Sequence, residues 1–126
     1  PDAVLSSSDN KIRIMLNLIT IKTDVDPYVK AGRTMVPVRF VAENLGARVE
    51  WNADKQRVEI FKGVDSIQLW VGQQNAQVNG NAVSLDMAPE IVNGRTFVPL
   101  RFIAESLGVK VHWDESIKTV KLSTFL

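Results

Sequence analysis

The chain has 126 residues, of which 45% are hydrophobic and 23% are charged, a balance typical of a folded globular protein rather than a disordered one. The formal net charge is only +1, with 15 Lys and Arg against 14 Asp and Glu, so the composition gives no electrostatic reason to bind nucleic acid or an anionic membrane. The absence of cysteine excludes disulfides and thiolate chemistry, and no apolar run approaches the ~20 residues that membrane insertion requires.

The N-terminal segment differs in composition from the rest of the chain. Residues 1–10 include three consecutive serines and are typical of a linker or a frayed end. The chain starts with Pro1 and shows no signal-like apolar segment, which we interpret as a processed or excised fragment. Residues 12–21 are apolar and β-branched, and a turn near Asn17 predicts two short strands there.

A short helix and a hairpin follow. Pro37 suits the first turn of a helix, and Gly46 suits the left-handed residue that ends one. Between them, apolar residues spaced i, i+3, i+4, i+7 predict one buried helical face: Val38, Val41, Ala42 and Leu45. Alternation after the helix predicts two strands joined by a turn at residues 52–55, with Val49 and Trp51 on one face. We expect Trp51 to pack in the core or between lobes.

The middle of the chain has the pattern of further hairpins. Gly63 and Asp65 favour a turn into a strand over residues 66–71. Residues 77–85 predict a partner for this strand, and Asn79–Gly80 is a strong hairpin signal.

The second part of the chain repeats the first at an offset of 62 residues. Residues 33–60 align without a gap with residues 95–122, and 13 of the 28 positions are identical. Pro99, Gly108 and Trp113 take the places of Pro37, Gly46 and Trp51. The sequence therefore predicts an α+β fold with mostly antiparallel strands, an internal duplication and one short helix per repeat. We expect one compact unit over residues 11–124, with repeats at about 11–62 and 63–124, or else two tightly packed lobes.

The two motifs GRTMVPVRFVAENLGARVEW and GRTFVPLRFIAESLGVKVHW resemble the family of the copper amine oxidase N-terminal domain. The resemblance covers roughly residues 12 to 122. It implies a small antiparallel sheet packed against helix, in a non-catalytic stalk or accessory module of an exported protein. Such modules are similar to repeats on the surface of Gram-positive and related bacteria. The expected role is a spacer or attachment domain, secreted or at the cell surface, whose partners are other domains or proteins there.

The family name does not predict copper chemistry in this chain. Copper(II) is usually held by several imidazoles, whereas His112 is the sole histidine and Tyr28 the sole tyrosine. His112 stands where the first repeat has Glu50, which indicates an ordinary exposed side chain. We predict no metal, no cofactor and no catalytic residue.

Two duplicated acids leave a hydrolase open as a less favoured alternative. Glu43 and Glu105 each follow an arginine by four residues, Arg39 and Arg101, a spacing that brings the side chains together on a helix. We interpret these as structural ion pairs. A glycosidase would instead require both acids to face one cleft.

An anion site is another hypothesis. Arg33 and Arg95 follow glycine at the entry to each motif, and together with Arg39 and Arg101 they would lie near the helix N-termini.

A third hypothesis is a cell-wall glycan site around Trp70. This residue alternates with Leu69 and faces the opposite side, where a sugar ring could stack on it. Polar side chains nearby would supply hydrogen bonds: Gln68, Gln73, Gln74 and Asn75. A partly buried edge-strand tryptophan is the alternative. Exposed strand edges also make self-association a possible partner mode.

Overall fold

The computed structural model describes residues 11–124, so the predicted linker or frayed end at residues 1–10 lies outside the described part of the chain. Within it are 13 strands, two α-helices of seven residues each and one 3-10 helix. The strands pair in an antiparallel manner with a single exception, which confirms the predicted α+β class of mostly antiparallel strands.

The elements of the first half, residues 11–62, are β1 (Arg13–Leu16), β2 (Ile19–Ile21), β3 (Tyr28–Lys30), β4 (Arg33–Pro37), α1 (Val38–Asn44), β5 (Arg48–Asn52) and β6 (Arg57–Lys62). Those of the second half, residues 63–124, are β7 (Asp65–Trp70), β8 (Asn75–Val78), β9 (Asn81–Ser84), β10 (Glu90–Val92), β11 (Arg95–Pro99), α2 (Leu100–Ser106), β12 (Lys110–Asp114), a 3-10 helix (Glu115–Ile117) and β13 (Thr119–Ser123). A shift of 62 residues brings every element of the first half onto one of the second. Strand β7 has no counterpart among the described residues.

The strands form three sheets. The central sheet has the order β10-β11-β4-β3, with one hairpin from each half. A second four-stranded sheet has the order β12-β13-β1-β2, in which β1 and β13 run parallel and join the two ends of the described chain. The third sheet has the order β5-β6-β7-β8-β9 and is antiparallel throughout.

Strand β7 lies between β6 and β8 and keeps the same positions aligned as in the direct pairing of β13 with β1. In the β1–β13 pair, Leu16 lies opposite Leu122. The equivalent residues of the five-stranded sheet, Val78 and Ile60, both lie opposite Ile67 of β7. Equivalent residues are therefore aligned in both sheets. The inward side chains of β7 add to the core without shifting the register of the strands on either side.

The helices hold the two halves together. Helix α1 packs against β11 of the other half and against its own β5, while α2 packs against β4 and β12. The buried apolar face of α1 consists of the predicted residues Val38, Val41 and Ala42, and Leu45 just beyond the helix is also buried. Buried residues of all three sheets and both helices belong to one hydrophobic cluster.

The helix boundaries follow the predicted signals with one correction. Pro37 and Pro99 are the last residues of β4 and β11 and precede the helices, which begin at Val38 and Leu100. Each helix is followed by a glycine with positive φ, +87° at Gly46 and +79° at Gly108. The sequence predicted a left-handed residue at both of these helix ends. The predicted turn at Asn79–Gly80 joins β8 and β9.

Candidate functional site

Two grooves lie at opposite edges of the central sheet. The first has a volume of about 560 Å³ and lies between α1, Trp51 of β5 and the β10–β11 hairpin of the other half. The second, of about 770 Å³, lies between α2, Trp113 of β12 and the β3–β4 hairpin. Both volumes fall within the range of small-ligand sites, roughly 300–1,000 Å³.

The linings of the grooves correspond position by position. Of the 14 residues that line the first groove, 13 have the residue 62 positions away in the lining of the second. The exception is Glu50, whose counterpart His112 does not line the second groove. The two grooves are therefore built from equivalent residues. Positions at which they differ show how their binding surfaces differ.

Trp51 does not lie in the core, which was one of the two positions predicted for it, in the core or between lobes. It shares a strand face with Val49, as expected, but 40% of its surface is exposed while Val49 is buried. Trp51 lies at the rim of the core and forms a wall of the first groove, without the side-chain acceptor that Glu115 gives to Trp113 on the edge strand β12. No residue in the described part of the chain accepts a hydrogen bond from its indole N–H.

Trp113 has the structural role that was predicted for both tryptophans. It is partly buried and packs against the hydrophobic cluster. Its indole nitrogen donates to Glu115 Oε1 at 2.8 Å. The residue 62 positions before Glu115 is Ala53, which has no side-chain acceptor, so the first groove lacks this contact.

The duplicated Arg–Glu pairs are ion pairs along the helices, as the spacing predicted. Arg39 Nη1 lies 3.3 Å from Glu43 Oε2, and Arg101 Nη1 lies 3.1 Å from Glu105 Oε2. Arg39 also donates to the backbone oxygen of Val49 at 3.2 Å, which ties α1 to β5.

The other two arginines form ion pairs between the halves. Arg33 Nε lies 3.2 Å from Asp86 Oδ2, and Arg95 Nε lies 2.6 Å from Asp24 Oδ2. The structure therefore does not gather the four arginines into one site, and anion binding by them stays a prediction. The four arginines do not converge at the helix N-termini, because Arg39 and Arg95 line one groove and Arg33 and Arg101 line the other, each beside a carboxylate.

The geometry also rejects the hydrolase alternative based on the duplicated acids. Glu43 lines the first groove and Glu105 the second, at opposite edges of the central sheet. An acid and its partner carboxylate must flank one glycosidic bond, and these two do not.

Comparison with known proteins identifies the family. The copper amine oxidase N-terminal domain matches residues 15–122. The chain belongs to this family. The predicted membership is thus confirmed, and the N-terminal domain of copper amine oxidases is a non-catalytic one. Over 86 residues the chain is also 35% identical to a protein named "Protease inhibitor" from Brevibacillus choshinensis. That match covers 68% of this chain and 26% of the relative, so it spans about a quarter of the relative's length.

The family name does not extend to copper binding by these residues. Within residues 11–124, no group of three or more His, Cys, Asp or Glu side chains is arranged to hold a metal ion. His112 is exposed on the edge strand β12, and the hydroxyl of Tyr28 donates to Glu90. The donor set therefore does not fit copper(II), which favours several imidazoles.

Neither helix of the described chain has the length and apolarity to cross a membrane.

Trp70 and Gln68 share a face of β7, and neither residue lines one of the two grooves described above. Trp70 is partly buried on β7, an interior strand rather than the edge strand considered above. The guanidinium carbon of Arg57 lies 6.0 Å from its ring centroid, and Gln68 donates to Glu59 at 3.1 Å. Exposed Asn75 begins β8.

The two glutamines of the turn between β7 and β8 belong to the same proposed glycan site. Gln73 is exposed between β7 and β8, and Gln74 donates to the backbone oxygens of Leu85 and Asp86. Much of the polar capacity proposed for a ligand is thus used within the chain, and a glycan site at Trp70 stays a prediction.

Besides the two grooves, a cluster of side chains on the other face of the central sheet was not predicted from the sequence. Tyr28 packs on Phe97, with ring centroids 4.9 Å apart, and its hydroxyl donates to Glu90, which also pairs with Lys30. Burial, and then the bond to Glu90, raise the pKa of Tyr28 far above its usual range. The bonds from Lys30 and Tyr28 lower the pKa of Glu90. Positions 28 and 90 are equivalent in the repeat, which is the one signal by which the sequence marks them.

Proposed function

We propose that this chain is a non-catalytic structural and interaction module of an exported bacterial protein, in which it spaces or attaches its neighbours. Membership of a non-catalytic domain family supports this role. The match to only 26% of the Brevibacillus relative supports a module within a longer protein. The name of that relative describes a protein that binds rather than one that catalyses.

The contacts among the recurring residues carry this proposal. The duplicated arginines and acids of the helices are bonded to one another, and the ion pairs Arg33–Asp86 and Arg95–Asp24 each join a residue of one half to a residue of the other. We propose that the two halves arose by duplication and that residues 11–124 fold as one unit. One hydrophobic cluster that draws on all three sheets supports this view.

The expected partners are other proteins or glycans at the cell surface. Among residues 11–124, each of the three sheets ends in strands that pair on one side only, and Ile91 and Val29 are exposed at the two edges of the central sheet. Such edges are suited to a partner strand, including one from a second copy of the chain. The grooves beside those edges are the other candidate surfaces.

Deletion in the producing bacterium tests the proposal. The codons for residues 11–124 would be replaced in the gene of the full protein by a flexible Gly/Ser linker of equal length. We expect the protein to move from the cell-envelope fraction to the medium, as immunoblots of the two fractions would show. Unchanged distribution, with unchanged activity of the remaining protein, would reject a role in attachment or spacing. The variant Val64→Ser, at a residue 98% exposed, is the control for changes that leave the module folded.

A further inference from the structure

We propose that the first groove binds a neutral polysaccharide strand, with one sugar ring stacked on Trp51. This inference rests on the proposed interaction function and specifies its ligand class and its site. It places the site at the rim of α1 and β5, away from Trp70.

The first step is the chemistry of the groove wall. Trp51 presents a large apolar ring, 40% exposed, together with an indole N–H that has no acceptor in the described chain. A sugar ring has the complementary surface, because its axial C–H groups form an apolar face and its hydroxyls surround the edge. Aromatic residues with one polar group suit contact surfaces that are partly apolar and partly hydrated. The side chains of Phe40 and Ile91 also line the groove and extend its apolar part.

The second step is electrostatic. Both arginines of the first groove are paired, Arg39 with Glu43 and Arg95 with Asp24. The remaining acid, Glu50, lies 3.3 Å from Arg48 Nε. With each charge beside its opposite, the groove offers donors and acceptors for hydroxyl groups but little net attraction for an anion or a cation. A neutral polar ligand fits this pattern better than an acidic or a basic one.

The third step is the difference between the grooves. In the second groove, Glu115 accepts the indole N–H of Trp113, and that ring is partly buried against the core. The same position in the first groove is Ala53, so only Trp51 presents an open ring face with an available donor. We therefore expect one ligand per chain.

Titration with defined oligosaccharides tests this inference. The probes are two neutral hexasaccharides, chitohexaose and cellohexaose, and an acidic one, hexagalacturonate. Isothermal titration of the wild-type chain should show binding of at least one neutral probe at one site per chain, with an affinity that changes less than twofold between 50 and 500 mM NaCl. Emission of the variant Trp70→Phe/Trp113→Phe, in which Trp51 is the remaining tryptophan, should shift on binding.

Matched variants localise the site. Trp51→Ala should weaken binding at least tenfold, and Ala53→Glu, which supplies the acceptor that the second groove has, should weaken it several-fold. Trp70→Ala should bind like the wild type. Circular dichroism would verify that each variant is folded.

Three results would overturn the inference: no binding of either neutral probe, stronger binding of hexagalacturonate, or wild-type binding by folded Trp51→Ala. If an unstructured peptide bound in the groove and no sugar displaced it, the groove would be assigned to a protein strand beside β10 instead. These outcomes are independent of the deletion experiment. Loss of envelope attachment there, without sugar binding here, would leave the proposed function standing and remove only its ligand.

Discussion

Val36 lies directly opposite Val98 in the antiparallel pair of β4 and β11, and these two residues are also 62 positions apart in sequence. A residue and its own repeat equivalent can face each other only at a local two-fold axis. Both side chains are fully buried, and the helix of each half packs over the strand of the other. The center of the central sheet is therefore core to both halves at once.

Truncation at this axis should be costly. Val36→Ala removes two methyl groups from a site with no exposed surface, so we expect the free energy of unfolding to fall by about 2–3 kcal/mol. Val64→Ala makes the same chemical change at a residue that is 98% exposed and should alter stability by less than about 0.5 kcal/mol. Urea melts of the two variants provide the measurement. Equal losses would contradict a core shared at this pair.

The two repeated tryptophans should differ in their contribution to stability. Trp113→Ala removes core packing and the bond to Glu115, and should cost about 3 kcal/mol. Trp51→Ala removes a residue at the rim and should cost less, about 1–2 kcal/mol, because much of its surface already meets water. Denaturant melts at one pH would compare them. A loss at Trp51 as large as that at Trp113 would restore the predicted core position.

The sequence was sufficient where local spacing determines the contact. The helical faces, the glycines after each helix and the pairs Arg39–Glu43 and Arg101–Glu105 follow from residues close together in the chain. Contacts that depend on strand order were not predictable. Asp86 meets Arg33 only because the central sheet takes one hairpin from each half. Likewise, alternation identified the face of Trp51, but its exposure depends on which side chains pack beside it, since Trp113 on the equivalent edge strand is less exposed.

The ion pairs between the halves should contribute specific geometry and little stability. Arg95 and Asp24 are both about half exposed, so water and salt screen their attraction. A double-mutant cycle with Arg95→Ala and Asp24→Ala should give a coupling energy below about 1 kcal/mol that decreases from 50 to 500 mM NaCl. Coupling above about 2 kcal/mol, independent of salt, would show that the pair is desolvated and contributes to holding the halves together.

The contact of Tyr28 with Glu90 should make stability depend on pH at both ends of the range. The lowered pKa of Glu90 contributes stability above the unfolded value of about 4.3, and this contribution is lost as pH falls through the folded pKa. The raised pKa of Tyr28 contributes below about pH 10 and is lost as pH rises further, because the unfolded chain then releases the proton more readily.

Urea melts from pH 3 to 11 would test both limbs with one variant each. Tyr28→Phe keeps the ring on Phe97 but removes the hydroxyl, so the decline in stability above pH 10 should become shallower while the acid limb persists in part. Glu90→Gln should flatten the acid limb, since the amide does not titrate. Near neutral pH, Tyr28→Phe should cost about 1 kcal/mol for the lost hydrogen bond. An alkaline decline as steep in Tyr28→Phe as in the wild type would show that this hydroxyl does not control it.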